Sequence, residues 1–304
     1  MKPDTAGALF MVLAMVGFGI EDALFKAATS SVSAGAGTVV FGLTALTLSA
    51  LGARHAGVEI WPRAAFRGWL LVRNIFEVCG RLFFALALAY TPLSTTSAIL
   101  QAAPLVVTLG AALVLGERVG PRRWAAMAVG FAGVLMILRP GLDSFRPDAV
   151  FALLGMVGFA GRDLATRASP PHVHAAQLGV LGFAAVAVAG LVILALEPAR
   201  QAPDGRALIL LLITGCVGVL AYTALTRAMR TGDVSVVAPF RYSRLLVALV
   251  LAFVLFGERP DAMTLAGAAL IVVSGIYTLW RQAKAGATAP TALDQPVTES
   301  KDRT

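Results

Sequence analysis

Arg73, Glu77 and Arg81 stand four residues apart inside an otherwise apolar stretch of the chain. On a helix this spacing forms one stripe with opposite charges adjacent. Other apolar stretches carry similar groups: Glu21, Asp22 and Lys26; Gln101, three residues ahead of Pro104; Arg162, Asp163 and Arg167; Tyr222 and Arg227; and Arg241, Tyr242 and Arg244, just after Pro239. Carboxylates and guanidiniums in apolar surroundings can bind a polar solute, carry a proton or neutralise one another. The sequence has no HExxH, GxxxxGK[ST], GxSxG or CxxC motif. Cys79 and Cys216 lie in apolar runs and suit neither a disulfide framework nor a thiolate metal site, and His55, His172 and His174 lie in or beside polar loops. No catalytic residue, metal or cofactor is expected, and no ATP-driven pump.

The elements that must hold these charges follow from composition. Of 304 residues, 58% are hydrophobic and only 14% charged, and the mean hydropathy is +0.80. So few polar side chains cannot cover a soluble globule of this size, which excludes ordinary soluble enzymes, nucleic-acid binders and disordered proteins. The chain is expected to be an all-α integral membrane protein in contact with the lipid bilayer. Its net charge of +8 then reflects Lys and Arg in loops, not a nucleic-acid partner.

About 20 apolar residues cross the hydrocarbon, and the runs are too long for barrel strands. Ten spans are predicted, at 5–28, 32–53, 66–90, 94–115, 122–139, 148–168, 174–196, 206–229, 235–256 and 261–281. The first lacks a cleavage motif and is read as a retained span, not a signal peptide. The polar tail, 283–304, is expected to be disordered. Placing the N-terminus in the cytoplasm puts Lys2, Arg54, Arg63, Arg67, Arg118, Arg122, Arg123, Arg230, Arg281 and Lys284 inside, against Arg139, Arg146, Arg200, Arg206 and Arg259 outside. Both termini are therefore expected in the cytoplasm. The Ala- and Arg-rich usage with short loops suits a bacterial inner membrane.

The chain repeats itself at an offset of 141 residues. Met15–Phe18 returns as Met156–Phe159, Asp22 as Asp163, Lys26 as Arg167, Ser94 as Ser235, and Leu115–Arg118 (LGER) as Phe256–Arg259 (FGER). Polar matches at one constant offset point to duplication. Each half holds five spans. Five is odd, so the halves enter the membrane from opposite sides as a 5+5 inverted repeat. Two such halves can exchange roles, which is a mechanical argument for alternating access.

The five-plus-five spans, the Gly-Glu pair closing the fourth and ninth, and the glycine-rich fifth and tenth (GFAGVLMILRPG, GAALIVVSGIY) resemble the drug/metabolite transporter superfamily in its EamA branch, over about residues 5–282. The resemblance implies ten transmembrane helices around a central cavity, with one repeat in 1–141 and the other in 142–282. It also implies movement of a small organic solute, and leaves the solute open among amino acids, nucleobases, nucleotide-linked metabolites, riboflavin, S-adenosylmethionine and drugs.

A charge at the bilayer centre costs roughly 2.5–3.5 kcal/mol, so such residues face the interior of a bundle. The candidate solute-binding set is Glu21, Asp22, Arg73, Glu77, Arg81, Gln101, Arg162, Asp163, Arg241, Tyr242 and Arg244. Arg73 is close enough to its span end to fit the interface equally well. Lys26, Arg167 and Arg227 read as interfacial, and Glu117 and Glu258 as caps or clamps. Phe18, Phe159, Met15 and Met156 read as packing residues, and Gly17, Gly19, Gly158 and Gly161 as points of close approach. Pro104 and Pro239 suggest a hinge in repeat-partner spans, although they do not coincide at the repeat offset.

The candidate acids and bases nearly balance. That suits a zwitterion, or a polar heterocycle with a carboxylate or phosphate, and an amino acid, a nucleoside-like compound, riboflavin and S-adenosylmethionine are all compatible. Tyr242, Tyr222, Phe83, Phe84 and Tyr90 are candidate flanking rings. Glu77, Asp22 or Asp163 can carry a coupling proton, and facilitated diffusion is equally open. A monomer or weak dimer is expected. A passive channel and, further off, a membrane enzyme are the competing readings.

Overall fold

Backbone groups in hydrocarbon must bond within their own segment, and every long element among the described residues is an α-helix. The computed structural model describes residues 3–61, 63–116, 119–139, 146–168, 175–198, 201–231 and 234–286. The clamp expected of Glu117, the histidines His172 and His174, the tail from 287 and the side chain of Arg167 fall outside what is described.

The helices are α1 (Pro3–Ala28), α2 (Ala34–His55), α3 (Gly68–Tyr90), α4 (Leu93–Leu100), α5 (Ala103–Val114), α6 (Pro121–Leu138), α7 (Ala149–Ala168), α8 (Ala175–Leu196), α9 (Gly205–Thr231), α10 (Val234–Val237), α11 (Ser243–Phe256) and α12 (Ala262–Gly286). The fourth span is α4 followed by α5. The ninth is α10, a 3-10 turn (Ala238–Tyr242) and α11. All ten spans are present near their predicted bounds, and the last continues past 281 to Gly286. Among the described residues, nine spans are long and apolar enough to cross a bilayer. The remaining one, α3, carries Arg73, Glu77 and Arg81.

The helices pair across the two halves: α1 with α9, α3 with α7, α2 with α8, and α6 with α12. Exchanging the halves leaves this pattern unchanged. The α1–α9 pair becomes α7–α3, and the other two pairs map onto themselves. Direction is fixed by points of close approach. A Cβ on Gly35 would meet Leu194, one on Gly190 would meet Val39, and one on Gly42 would meet Ala187. Numbers rising along α2 fall along α8, so these repeat partners run antiparallel and the repeat is inverted.

Glycine sets these approaches because helices in lipid associate by packing, without a hydrophobic drive between them. A Cβ on Gly17 would lie 2.8 Å from the Ala221 Cβ, and one on Gly158 would lie 2.5 Å from the Gly80 Cα. These are the same contact in the two halves.

The fourth span breaks at Gln101–Ala102, and the ninth is 3-10 over Ala238–Tyr242. Gln101 and Tyr242 are repeat equivalents. The two breaks therefore coincide even though their prolines sit on opposite sides of them. The breaks also touch: Gln101 Nε2 donates to the Arg241 carbonyl at 3.4 Å.

Polar clamps gather on the face opposite residues 3 and 286. Glu258 accepts hydrogen bonds from Leu93 N (2.8 Å), Ser94 N (3.0 Å) and Ser94 Oγ (2.7 Å) at the start of α4. This is the clamp expected of it. Glu197 accepts from Gly35 N at 3.1 Å, and Lys26 Nζ donates to the Thr91 carbonyl at 2.7 Å. Arg139, which ends α6 in a left-handed conformation (φ 50°), pairs with Asp261 ahead of α12. The Arg139 hydrogen bond holds the Asp261 carboxyl well below the usual carboxylate range.

Candidate functional site

The stripe on α3 forms the spine of a charged network. Glu77, 1% exposed, bonds Arg73 Nη2 at 3.2 Å and Arg81 Nε at 3.1 Å along its own helix. It also receives Arg162 Nη1 of α7 at 3.3 Å. Arg162 in turn bonds Asp163 at 2.7 Å, and Arg241 Nη2 of the ninth span lies 3.9 Å from the same carboxylate. Across the bundle, Arg244 of α11 grips Asp22 of α1 through Nε (3.1 Å) and Nη2 (2.7 Å). Such bidentate, charge-assisted pairs are among the strong ones.

A cavity of about 220 Å³ lies against this network. Arg73, Arg81, Gln101, Arg162, Asp163, Arg241, Tyr242 and Arg244 line it. Glu77 stands behind three of these arginines, while Glu21 and Asp22 border a smaller hollow farther in. The near balance of acids and bases in the sequence is therefore not kept at the wall. Five guanidiniums face the cavity with Asp163 as their only carboxylate among the described lining residues. Arg73, which suited either location by sequence, is 3% exposed and belongs to the interior.

Aromatic rings give the wall its shape. Arg81 and Arg162 lie 5.4 and 5.1 Å from the Phe159 ring centroid, and Arg244 lies 5.2 Å from Phe18 and 5.6 Å from Phe84. These are cation–π distances. Phe18 and Phe159, read from sequence as packing residues, are repeat equivalents on the cavity wall. The signal for them is present in the sequence, because each precedes its aspartate by four residues and so shares its stripe. Tyr222 and Phe84 also line the cavity. Phe83 instead stacks on Phe151 (6.4 Å between centroids), and Tyr90 is half exposed at the end of α3, so neither flanks the site.

Tyr242 depends on a residue the sequence does not flag. A Cβ on Gly275 would fall 1.7 Å from its hydroxyl oxygen. The interfacial reading of Arg227 agrees with its exposed position.

The cavity belongs to one face. Thr166, Leu178, Ala238 and Leu279 line it near the helix ends that share a side with residues 3 and 286. A separate hollow of about 310 Å³ on the opposite face, by Ser94, Arg139 and Glu258, shares no lining residue with it.

Comparison with known families adds the decisive observation. The chain matches the EamA-like transporter family twice, over residues 5–139 and 147–280. It belongs to that family. It is 30% identical to a riboflavin transporter of Vibrio cholerae, over 91% of this chain and 94% of that protein. A pseudopaline exporter, CntI, of Pseudomonas aeruginosa is 32% identical, over 89% and 95% of the two chains. An S-adenosylmethionine uptake transporter of Rickettsia felis is 27% identical, over 71% and 72%. One solved crystal structure shares the fold, with a TM-score of 0.61 and 22% identity, covering 91% of this chain and 98% of that chain. The chain is a multi-pass membrane protein of a family that moves small metabolites.

Proposed function

We propose that the chain is a secondary transporter that moves a small polar metabolite bearing a carboxylate or phosphate beside a flat ring, by alternating access. The observation that carries this reading is the arginine wall. Arg81, Arg162, Arg241 and Arg244 present guanidiniums to one cavity, and the Phe18, Phe84 and Phe159 faces stand among them. Guanidinium recognises planar anions by paired hydrogen bonds and stacks on rings. Asp163, 29% exposed in its side chain, offers a counter-charge to an amino group, so zwitterions are included. The relative named for S-adenosylmethionine uptake supports a solute of this kind, since S-adenosylmethionine joins a carboxylate to a flat ring, and the one named for riboflavin supports the flat ring alone. The relatives also include one named for pseudopaline export. They include both uptake and export, so direction is a separate question.

On this reading the repeats are 1–141 and 142–282, the protein lies in the inner membrane with both termini cytoplasmic, and the open face is the cytoplasmic one. The Lys and Arg bias of the loops supports that orientation.

The test begins with thermal unfolding of detergent-purified protein against a metabolite panel that includes the three named solutes. A ligand at a hundredfold its Kd stabilises by about 2.7 kcal/mol. Arg241 is 39% exposed in its side chain and, among the described residues, makes one long ionic contact, so Arg241→Ala is expected to leave the unliganded melting temperature in place. It is expected to abolish both ligand stabilisation and flux in proteoliposomes. Undiminished flux in that variant would remove the site assignment, and single-channel currents in planar bilayers would replace the carrier with a pore.

A further inference from the structure

The helices obey the two-fold relation, but the charges do not. Arg162 of α7 bonds Glu77 of α3. Exchanging the halves carries this pair onto Glu21 of α1 and Gly218 of α9. Those two residues are in contact, since a Cβ on Gly218 would lie 3.0 Å from Glu21 Oε2. Glu21 thus occupies an ion-pair position whose partner position holds only a glycine.

Its surroundings do not make up the loss. The Glu21 side chain is 5% exposed, and Oε2 has no hydrogen-bond partner. The nearest cation, Arg81 of α3, keeps Nη1 3.8 Å from Oε1 while its Nε is committed to Glu77 at 3.1 Å. Arg244 of α11 is taken by Asp22, the neighbour of Glu21 on α1. On the remaining sides α9 presents Gly218, and α2 presents Thr38 and Phe41. Asp22, Glu77 and Asp163 are the carboxylates to which the sequence assigns a possible coupling role. Each has a guanidinium within hydrogen-bond reach. Glu21 does not.

A buried carboxylate short of a partner either takes up a proton or draws a cation closer. Among the described residues Arg81 is the nearest cation to Glu21; its Nη1 has no partner closer than the 3.8 Å to Glu21 Oε1, and it also lines the cavity. An anionic group bound there competes with Glu21 for Arg81. We propose that Glu21 is the proton-carrying carboxylate of the transport cycle: it pairs with Arg81 when the cavity is empty and holds a proton when an anionic solute engages Arg81. One proton, drawn from cavity water, then binds with one negative charge on the solute, and charge balances. The proposal rests on the reading of the cavity as an anion-binding solute site.

Infrared spectroscopy of the detergent-purified full chain, titrated from about pH 5 to about pH 9, tests it without any solute. A protonated-carboxyl C=O band is expected in the empty wild type at the acid end, where protonation outcompetes the 3.8 Å contact with Arg81, and it titrates away with rising pH as the Glu21–Arg81 pair forms. It should be lost in the near-isosteric Glu21→Gln and kept in Asp22→Asn. In Arg81→Gln, where Glu77 retains Arg73 and Arg162, the band should persist to a pH higher by about one unit or more. No titrating band in the wild type, or an unchanged band in Glu21→Gln, overturns the proposal. An unmoved midpoint in Arg81→Gln overturns the exchange with Arg81. Failure of the solute reading looks different: Arg241→Ala would then retain flux while the Glu21 band and its loss remain.

Discussion

Glu77 belongs to the support of the cavity, not to its wall. It is buried behind Arg73, Arg81 and Arg162 and neutralises them at close range. Removing one partner of a buried ionic cluster costs about 3–5 kcal/mol, because the remaining charges stay desolvated. Glu77→Gln is therefore expected to lower the melting temperature of the detergent-purified protein sharply, whereas Asp163→Asn, at a partly exposed position, should lower it little. Equal melting temperatures for the two would refute this ranking. The importance of the Arg73–Glu77–Arg81 stripe is legible in the sequence, because charges in an apolar run are costly unless they pair, and a spacing of four lets them pair along one helix. Which rings share the cavity with them is less legible. A phenylalanine is equally comfortable against lipid or protein, so Phe83 and Phe159 look alike until the helices are packed.

Among the elements, close approach is concentrated at a few glycines. Gly158 of α7 faces the Gly80 backbone of α3, whereas a Cβ on Gly182 of α8 would meet nothing within 4 Å. Gly158→Ala is expected to force the α3–α7 crossing apart at a cost of about 1–3 kcal/mol. Gly182→Ala should be neutral or stabilising by up to about 1 kcal/mol, since alanine is the better helix former. Fluorescence-detected size exclusion after heating separates the two variants, and the idea fails if they behave alike. The ten spans and the repeat offset are readable because length, hydropathy and self-similarity are properties of the chain itself. The helix breaks are only half readable. Pro104 and Pro239 announce them, but their six-residue disagreement at the repeat offset hides that Gln101 and Tyr242 occupy one equivalent position.

For the whole molecule, the exchange-invariant helix pairing means that the two faces are built from equivalent parts. The face opposite the arginine-lined cavity is held in part by Glu258, whose carboxylate takes two backbone amides and a hydroxyl at the start of α4. Hydrogen bonds to a charged acceptor contribute about 1.5–3 kcal/mol each. Glu258→Gln is expected to speed hydrogen exchange at Leu93 and Ser94 and leave the α3–α7 crossing unchanged. Unaltered exchange at those two amides would mean that the clamp does not hold the start of α4.

The mismatch between a duplicated scaffold and its unduplicated arginines bears on rates. Detailed balance forbids such a carrier from concentrating its cargo unless a second gradient drives it. It does not require the same half-saturation at both mouths. Oriented vesicles assayed from either side should therefore report unequal affinities, making the molecule a rectifier in kinetics even where it is none in thermodynamics.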